Sequence, residues 1–226
     1  MKTTEPVEQK SPNNFLELGD NAVELLKNLI SIPSFSKEED KTADLIEKYL
    51  QEKGVKTHRE KNNIWAFNHN FSPEKPTILL NSHHDTVRPN SGYTLDPFTP
   101  IVKDGKLFGL GSNDAGGALV SLMAAFLYFY NAKDIKYNFI YAATAEEENS
   151  GLDGVESVLP HFGNLEFAIV GEPTEMQMAI AEKGLMVVDC EASGTSSHAA
   201  HPNDDNAIYN AIKDIEWIKN YQFPKK

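Results

Sequence analysis

Apolar positions along the chain follow two periods. Val23, Leu25, Leu26, Leu29 and Ile30 gather on one side of a 3.6-residue repeat, which predicts an amphipathic helix with Asp20 as N-cap and Pro33 as its stop. Ser36 and Glu39 have the spacing of a capping box. The helix they open carries Ala43, Leu45, Ile46, Tyr49 and Leu50, and Gly54 is placed to end it. A third helix, nearly all apolar, runs from Ala115 to Tyr130 and is entered through Gly116 and Gly117. Short runs at 55–59 and 63–68 predict strands, and Ile101 to Phe108 holds Asp104-Gly105, a hairpin signal. Thr77–Ser82, Tyr137–Thr144 and Phe167–Val170 are compact apolar runs between polar residues, the pattern of strands buried on both faces. A short helix over Val155–Leu159 falls between the last two. Strands alternating with helices predict an α/β fold with a mostly parallel sheet flanked by helices.

The ends of the chain read differently. Residues 1–14 are polar and predict a flexible leader without the apolar core of a signal peptide. After Glu182-Lys183-Gly184, a strand over Leu185–Ala192, a polar loop with two histidines and a helix from about Asp205 to Ile218 open what reads as a second domain. The expected division is 1–14, 15–180 and 181–226, with both the main domain and its successor incomplete.

Composition narrows the classes of function. Net charge is 21 − 33 = −12 over 226 residues, which disfavours contact with phosphate backbones, so no nucleic-acid partner is expected. The longest apolar stretch, Ala118 to Tyr130, is too short for a bilayer, so no membrane partner is expected either. Cys190 is the single cysteine, which suits a reducing, cytoplasmic setting.

The chemistry sits where the apolar runs stop. Thr77–Ser82 leads into His83-His84-Asp85, Tyr137–Thr144 into Glu146-Glu147-Glu148, and Phe167–Val170 into Gly171-Glu172-Pro173, while Asp114 stands just before the long helix. Taken singly, each has an ordinary structural reading: a solvated acidic face, a helix cap, a turn. In order, at equivalent strand ends, they predict one crevice at the rim of the sheet. One or two imidazoles with several carboxylates and no thiolate suit zinc, manganese or cobalt. A carboxylate can bridge two such ions, and an aspartate two residues after a histidine can hold its other ring nitrogen.

At five stretches the chain resembles the metallo-aminoacylase and carboxypeptidase family that includes acetylornithine deacetylase, succinyl-diaminopimelate desuccinylase and peptidase T-like tripeptidases. They are Asn81-Ser-His-His-Asp-Thr-Val87, Gly109-Leu-Gly-Ser-Asn-Asp-Ala-Gly-Gly117, Thr144-Ala-Glu-Glu-Glu148, Val170-Gly-Glu-Pro-Thr174 and Gly194-Thr-Ser-Ser-His-Ala-Ala-His-Pro202. The resemblance implies a zinc-exopeptidase-like catalytic domain at 15–180 and the start of an α+β lid or dimerisation domain at 181–226. It implies two divalent ions, zinc first, with cobalt or manganese as alternatives. His83 and Glu172 would hold one ion, Glu148 the other, and Asp114 would bridge them, followed by a cis peptide. Asp85 would orient His83, Glu147 would be the general base, and His198 would stabilise an oxyanion from the lid, often across a dimer interface. His84, Glu146 and His201 receive no ligand role and read as solvated or packing residues.

The implied activity is amide hydrolysis of a small N-acyl amino acid by a cytoplasmic homodimer. The motif wording lies closest to acetylornithine deacetylase of arginine biosynthesis, with a desuccinylase or a di- or tripeptidase as alternatives within the family. A truncated, non-catalytic metal-binding remnant is the alternative of another class. A two-metal phosphoesterase is disfavoured, because Arg88 is the only arginine near the motifs. In one respect the chain departs from the family. The last family ligand, a histidine near the C-terminus, has no counterpart here, so the expected product is an N-terminal piece with low turnover by itself.

Overall fold

The computed structural model describes residues 15–181, 183, 184 and 186–224, so the expected leader over 1–14 lies outside the described residues. The chain divides into two compact units with the boundary between Met178 and Ala179.

In the first unit, α1 (Phe15–Ile30) and α2 (Asp40–Glu52) precede the antiparallel strands β1 (Thr57–Glu60) and β2 (Asn63–Phe67). β3 (Thr77–His83) is followed by the hairpin β4 (Ile101–Lys103) and β5 (Lys106–Phe108). Next come α3 (Gly117–Phe129), β6 (Asn138–Thr144), α4 (Val155–Val158) and β7 (Phe167–Val170). The five-stranded sheet has the order β1-β2-β6-β3-β7, in which β6, β3 and β7 run parallel and β2 joins β6 antiparallel. The expected α/β sheet flanked by helices forms, with an antiparallel pair added at one edge.

Alternation along the central strands builds two cores, because successive side chains leave opposite faces of a strand. Ile78, Leu80, Tyr141 and Ala143 face a cluster with Leu25, Leu29, Ile46, Leu119, Met123 and Phe126 from α1, α2 and α3. Leu79, Ile140 and Ala142 turn the other way, toward Trp65, Val158 and Phe162. Burial on both faces is why β3 and β6 read as continuous apolar runs.

Several expectations are corrected. α1 begins at Phe15, ahead of Asp20, and Val23 is exposed, since Leu18, Leu25, Leu26, Leu29 and Ile30 supply its inner face. β7, read as a buried strand, forms the sheet edge and is exposed at all four residues. α3 starts at Gly117, two residues after the expected Ala115, because a turn over Ser112–Gly116 precedes it. The capping box does not form: α2 has Glu39 at its N-cap with no side-chain cap, and Ser36 and Glu39 bond elsewhere.

The second unit contains α5 (Ala207–Asn220), capped by Asn206, whose side chain accepts the Ile208 N–H. The strand expected over Leu185–Ala192 is not formed at residues 186–192, and Leu185 lies outside the described residues. Met186, Val187 and Val188 are exposed there, and a strand with no partner does not persist. Among the described residues, no helix is long and apolar enough to cross a membrane.

Candidate metal centre

Register brings the chemistry to one rim. β3 pairs with β6 so that His83 lies opposite Thr144, and with β7 so that Asn81 lies opposite Val170. The three parallel strands therefore finish together, and Glu147 and Glu172 follow within three residues of their ends. Asp114 reaches the same place from the turn before α3, where its peptide to Ala115 is cis, as the resemblance implied.

His83 is buried at the centre. Its Nδ1–H donates to the Asp85 carbonyl at 3.0 Å and lies 3.3 Å from an Asp85 carboxylate oxygen. That partner assigns the proton to Nδ1 and turns Nε2 toward the rim. Nε2 lies 3.2 Å from Asp114 Oδ1, 3.7 Å from Glu147 Oε2 and 3.8 Å from Glu172 Oε2. His83, Asp114 and Glu172 each offer a donor atom, all within 4.8 Å of one another. Glu147 and Glu148 stand beside this trio and outside it.

The electrostatics follow from the crowding of carboxylates. Burial by itself lowers the His83 imidazole. The bonds and charges of Asp85 and Glu172 overcome that and push it up to about 11. Burial raises Glu147, and so do the charges of Glu172, Asp85 and Asp114, against His83. Glu148 is raised by burial and then by Asp114. Nε2, facing clustered acids, would give up its proton to a divalent cation of the zinc, cobalt or manganese type, whose charge would relieve the repulsion.

Asp85 holds more than the histidine. Its Oδ1 accepts the Glu147 N–H and its Oδ2 the Glu148 N–H, both at 3.1 Å, while Ser36 donates to Oδ2 at 2.7 Å. The preceding two amides are held as well: Ala145 N–H by Asn63 Oδ1 at 3.0 Å and Glu146 N–H by Glu39 Oε1 at 3.2 Å. Sequence reasoning missed Ser36, Glu39, Asn62 and Asn63, although the Ser36/Glu39 spacing was visible as a supposed cap.

The residues without an expected ligand role are also placed. His84 is buried, with Nε2–H donating to the Asn62 carbonyl and Nδ1 2.9 Å from the Thr42 hydroxyl. Glu146 is buried with a positive φ of 56°. His198 and His201 belong to the second unit, where their rings lie 5.6 Å apart and the Ala200 N–H donates to His198 Nδ1.

The chain is similar to several known proteins. Succinyl-diaminopimelate desuccinylase of Beijerinckia indica subsp. indica is 29% identical over 224 residues, covering 88% of this chain and 57% of the relative. That of Buchnera aphidicola subsp. Acyrthosiphon pisum (strain Tuc7) is 31% identical over 206 residues, covering 84% and 54%. The chain spans about half the length of the curated relatives it matches. The crystal structure of the M20 family metallo-carboxypeptidase Sso-CP2 from Sulfolobus solfataricus matches with a TM-score of 0.56 at 19% identity, over 67% of this chain and 37% of that one. The dinuclear metal-binding peptidase YXEP of Bacillus subtilis matches with a TM-score of 0.52 at 16% identity, over 68% and 43%. At these identities the structural likeness establishes the fold alone. The profile of Peptidase family M20/M25/M40 matches residues 79–222, more than half of the 226 residues, and the chain belongs to that family.

Proposed function

We propose that the chain carries the cation-binding part of a two-metal hydrolase that cleaves the amide bond of an N-acyl amino acid. The observation that carries this reading is the approach of His83, Asp114 and Glu172 within 4.8 Å at one sheet rim. His83 and Glu172 would hold one ion, Glu148 the second, and Asp114 would lie between them. Zinc is the first choice, with cobalt or manganese as alternatives. When bound, such a pair acidifies a water and polarises the scissile carbonyl.

The chain's own residues supply the proton handling. Glu147, whose side chain is about half exposed and whose carboxylate lies 3.7 Å from His83 Nε2, would take a proton from the attacking water and return it to the leaving amine. Burial first, and then the neighbouring carboxylates, raise its pKa, which suits a group that must hold a proton between those events. Asp85 keeps His83 in the tautomer that presents Nε2. His198 would stabilise the oxyanion as part of a lid or dimerisation domain that opens over 181–226. The complete enzyme would be a cytoplasmic homodimer.

The desuccinylase relatives favour a succinylated substrate, while the motif wording keeps acetylornithine as the second reading. The test is amine release from N-succinyl-diaminopimelate and from acetylornithine with Zn²⁺ or Co²⁺ added, for wild type and Glu147→Gln. The expected outcome is cation-dependent hydrolysis, faster with the succinylated substrate, that Glu147→Gln lowers roughly 10²–10⁴-fold with the cation still bound. Hydrolysis that survives both chelation and the substitution would overturn the reading.

A further inference from the structure

Glu39 is a fully buried carboxylate that the proposed chemistry does not use. Among the described residues no lysine, arginine or histidine forms an ion pair with it. It instead accepts three hydrogen bonds from three parts of the chain: Lys37 N–H at 2.7 Å and Glu146 N–H at 3.2 Å on Oε1, and Asn62 Nδ2 at 3.0 Å on Oε2. An isolated buried carboxylate is costly, so its retention at this point calls for a local reason.

That reason is the turn after β6. Four successive amides, Ala145 to Glu148, each donate to a side-chain oxygen from elsewhere in the chain. Asn63 holds the first, Glu39 the second and Asp85 the third and fourth. Glu146, the residue Glu39 holds, has a positive φ of 56°, a conformation that a residue with a side chain adopts only when its surroundings enforce it. Glu39 also closes a ring around His84. Asn62 donates to Glu39 and accepts from His84 Nε2–H, and Thr42 lies 2.9 Å from His84 Nδ1 and 3.0 Å from the Glu39 carbonyl. One carboxylate thus braces both the acidic turn and the residue next to His83.

We propose that Glu39 is a positioning residue of the cation site, holding the Glu146–Glu148 turn so that Glu147 and Glu148 face His83 and Asp114. This rests on the metallo-hydrolase reading. Glu39→Gln keeps an oxygen for the two amides and lets the Asn62 amide flip to accept from the new NH₂. Glu39→Asp keeps the charge and withdraws the oxygens by one methylene.

The test is titration of Co²⁺ and Zn²⁺ into wild type, Glu39→Gln, Glu39→Asp and Glu39→Ala, following affinity by calorimetry and coordination by the visible cobalt spectrum, with the thermal midpoint of each variant recorded. Glu39→Gln is expected to stay close to wild type. Glu39→Asp and, where it folds, Glu39→Ala are expected to lose roughly 10–100-fold in affinity, as when a group supporting a metal ligand is removed, and to shift the cobalt bands. A folded Glu39→Asp protein with wild-type affinity and spectrum would overturn the proposal, even if its melting point fell. Failure of the wild-type protein to bind either ion would instead remove the reading on which the proposal rests.

Discussion

Both carboxylate oxygens of Asp85 have partners within the chain: Ser36, the amides of Glu147 and Glu148, and the Nδ1 side of His83 all converge on this residue. Asp85→Asn would present an NH₂ to at least one of these donors. It is expected to cost roughly 1–3 kcal/mol of stability in chemical denaturation, the penalty for a buried donor left unmet. Neighbouring His84 gives a pH-dependent case. Burial lowers its pKa from the ordinary 6.5, with the Asn62 carbonyl opposing. On acidification the unfolded chain therefore takes up this proton first. His84 contributes stability that is full above about pH 6.5 and declines as pH falls toward its lower folded value. The difference in unfolding free energy between wild type and His84→Gln, measured from about pH 7 to pH 5, is expected to shrink as pH falls; a constant difference would refute this. At this scale the residues beyond the strands, from His83 to Glu172, were legible in the chain. Their braces were not. Ser36 and Glu39 carry the spacing of a helix cap, and only the approach of distant segments reveals that their oxygens serve Asp85 and Glu146.

At the scale of elements, the existence of the parallel strands was the easiest feature to read. β3, β6 and β7 appeared as apolar runs that stop at charged residues, and their registers place those stops at one rim. Edges were harder, since a short apolar run looks the same whether it is central or, like β7, at the sheet edge. The turn before α3 shows how tightly an element is set against its neighbours. A Cβ at Gly116 would run into the Gly111 carbonyl oxygen and would also press on Leu26 Cδ1, 2.6 Å away, so the Gly111 backbone leaves no room for a side chain there. Gly116→Ala is expected to lower stability by roughly 1–3 kcal/mol through overpacking. Because Asp114 belongs to the same turn, cation affinity should fall with it. A denaturation midpoint and a cation titration equal to wild type would show that the turn can yield without cost.

Across the whole molecule, acidic side chains outnumber basic ones, 33 to 21, and the cluster at the rim adds local repulsion to that excess. A cation that binds only the folded chain stabilises it by mass action, about 2.7 kcal/mol at a free concentration one hundred times the Kd. The thermal midpoint should rise with Zn²⁺ and return on chelation. The second unit was only half legible: α5 forms close to its expected place, whereas the expected strand before it has no pairing partner among the described residues. The most direct measurement is calorimetric titration of Zn²⁺ into metal-stripped wild type, His83→Ala, Asp114→Ala and Glu172→Ala, with His161→Ala as a control whose ring pairs with Glu60. Wild type and the control are predicted to bind alike, and each of the other three variants to lose at least about tenfold in affinity. Equal binding by all five proteins would contradict a cation site built from His83, Asp114 and Glu172.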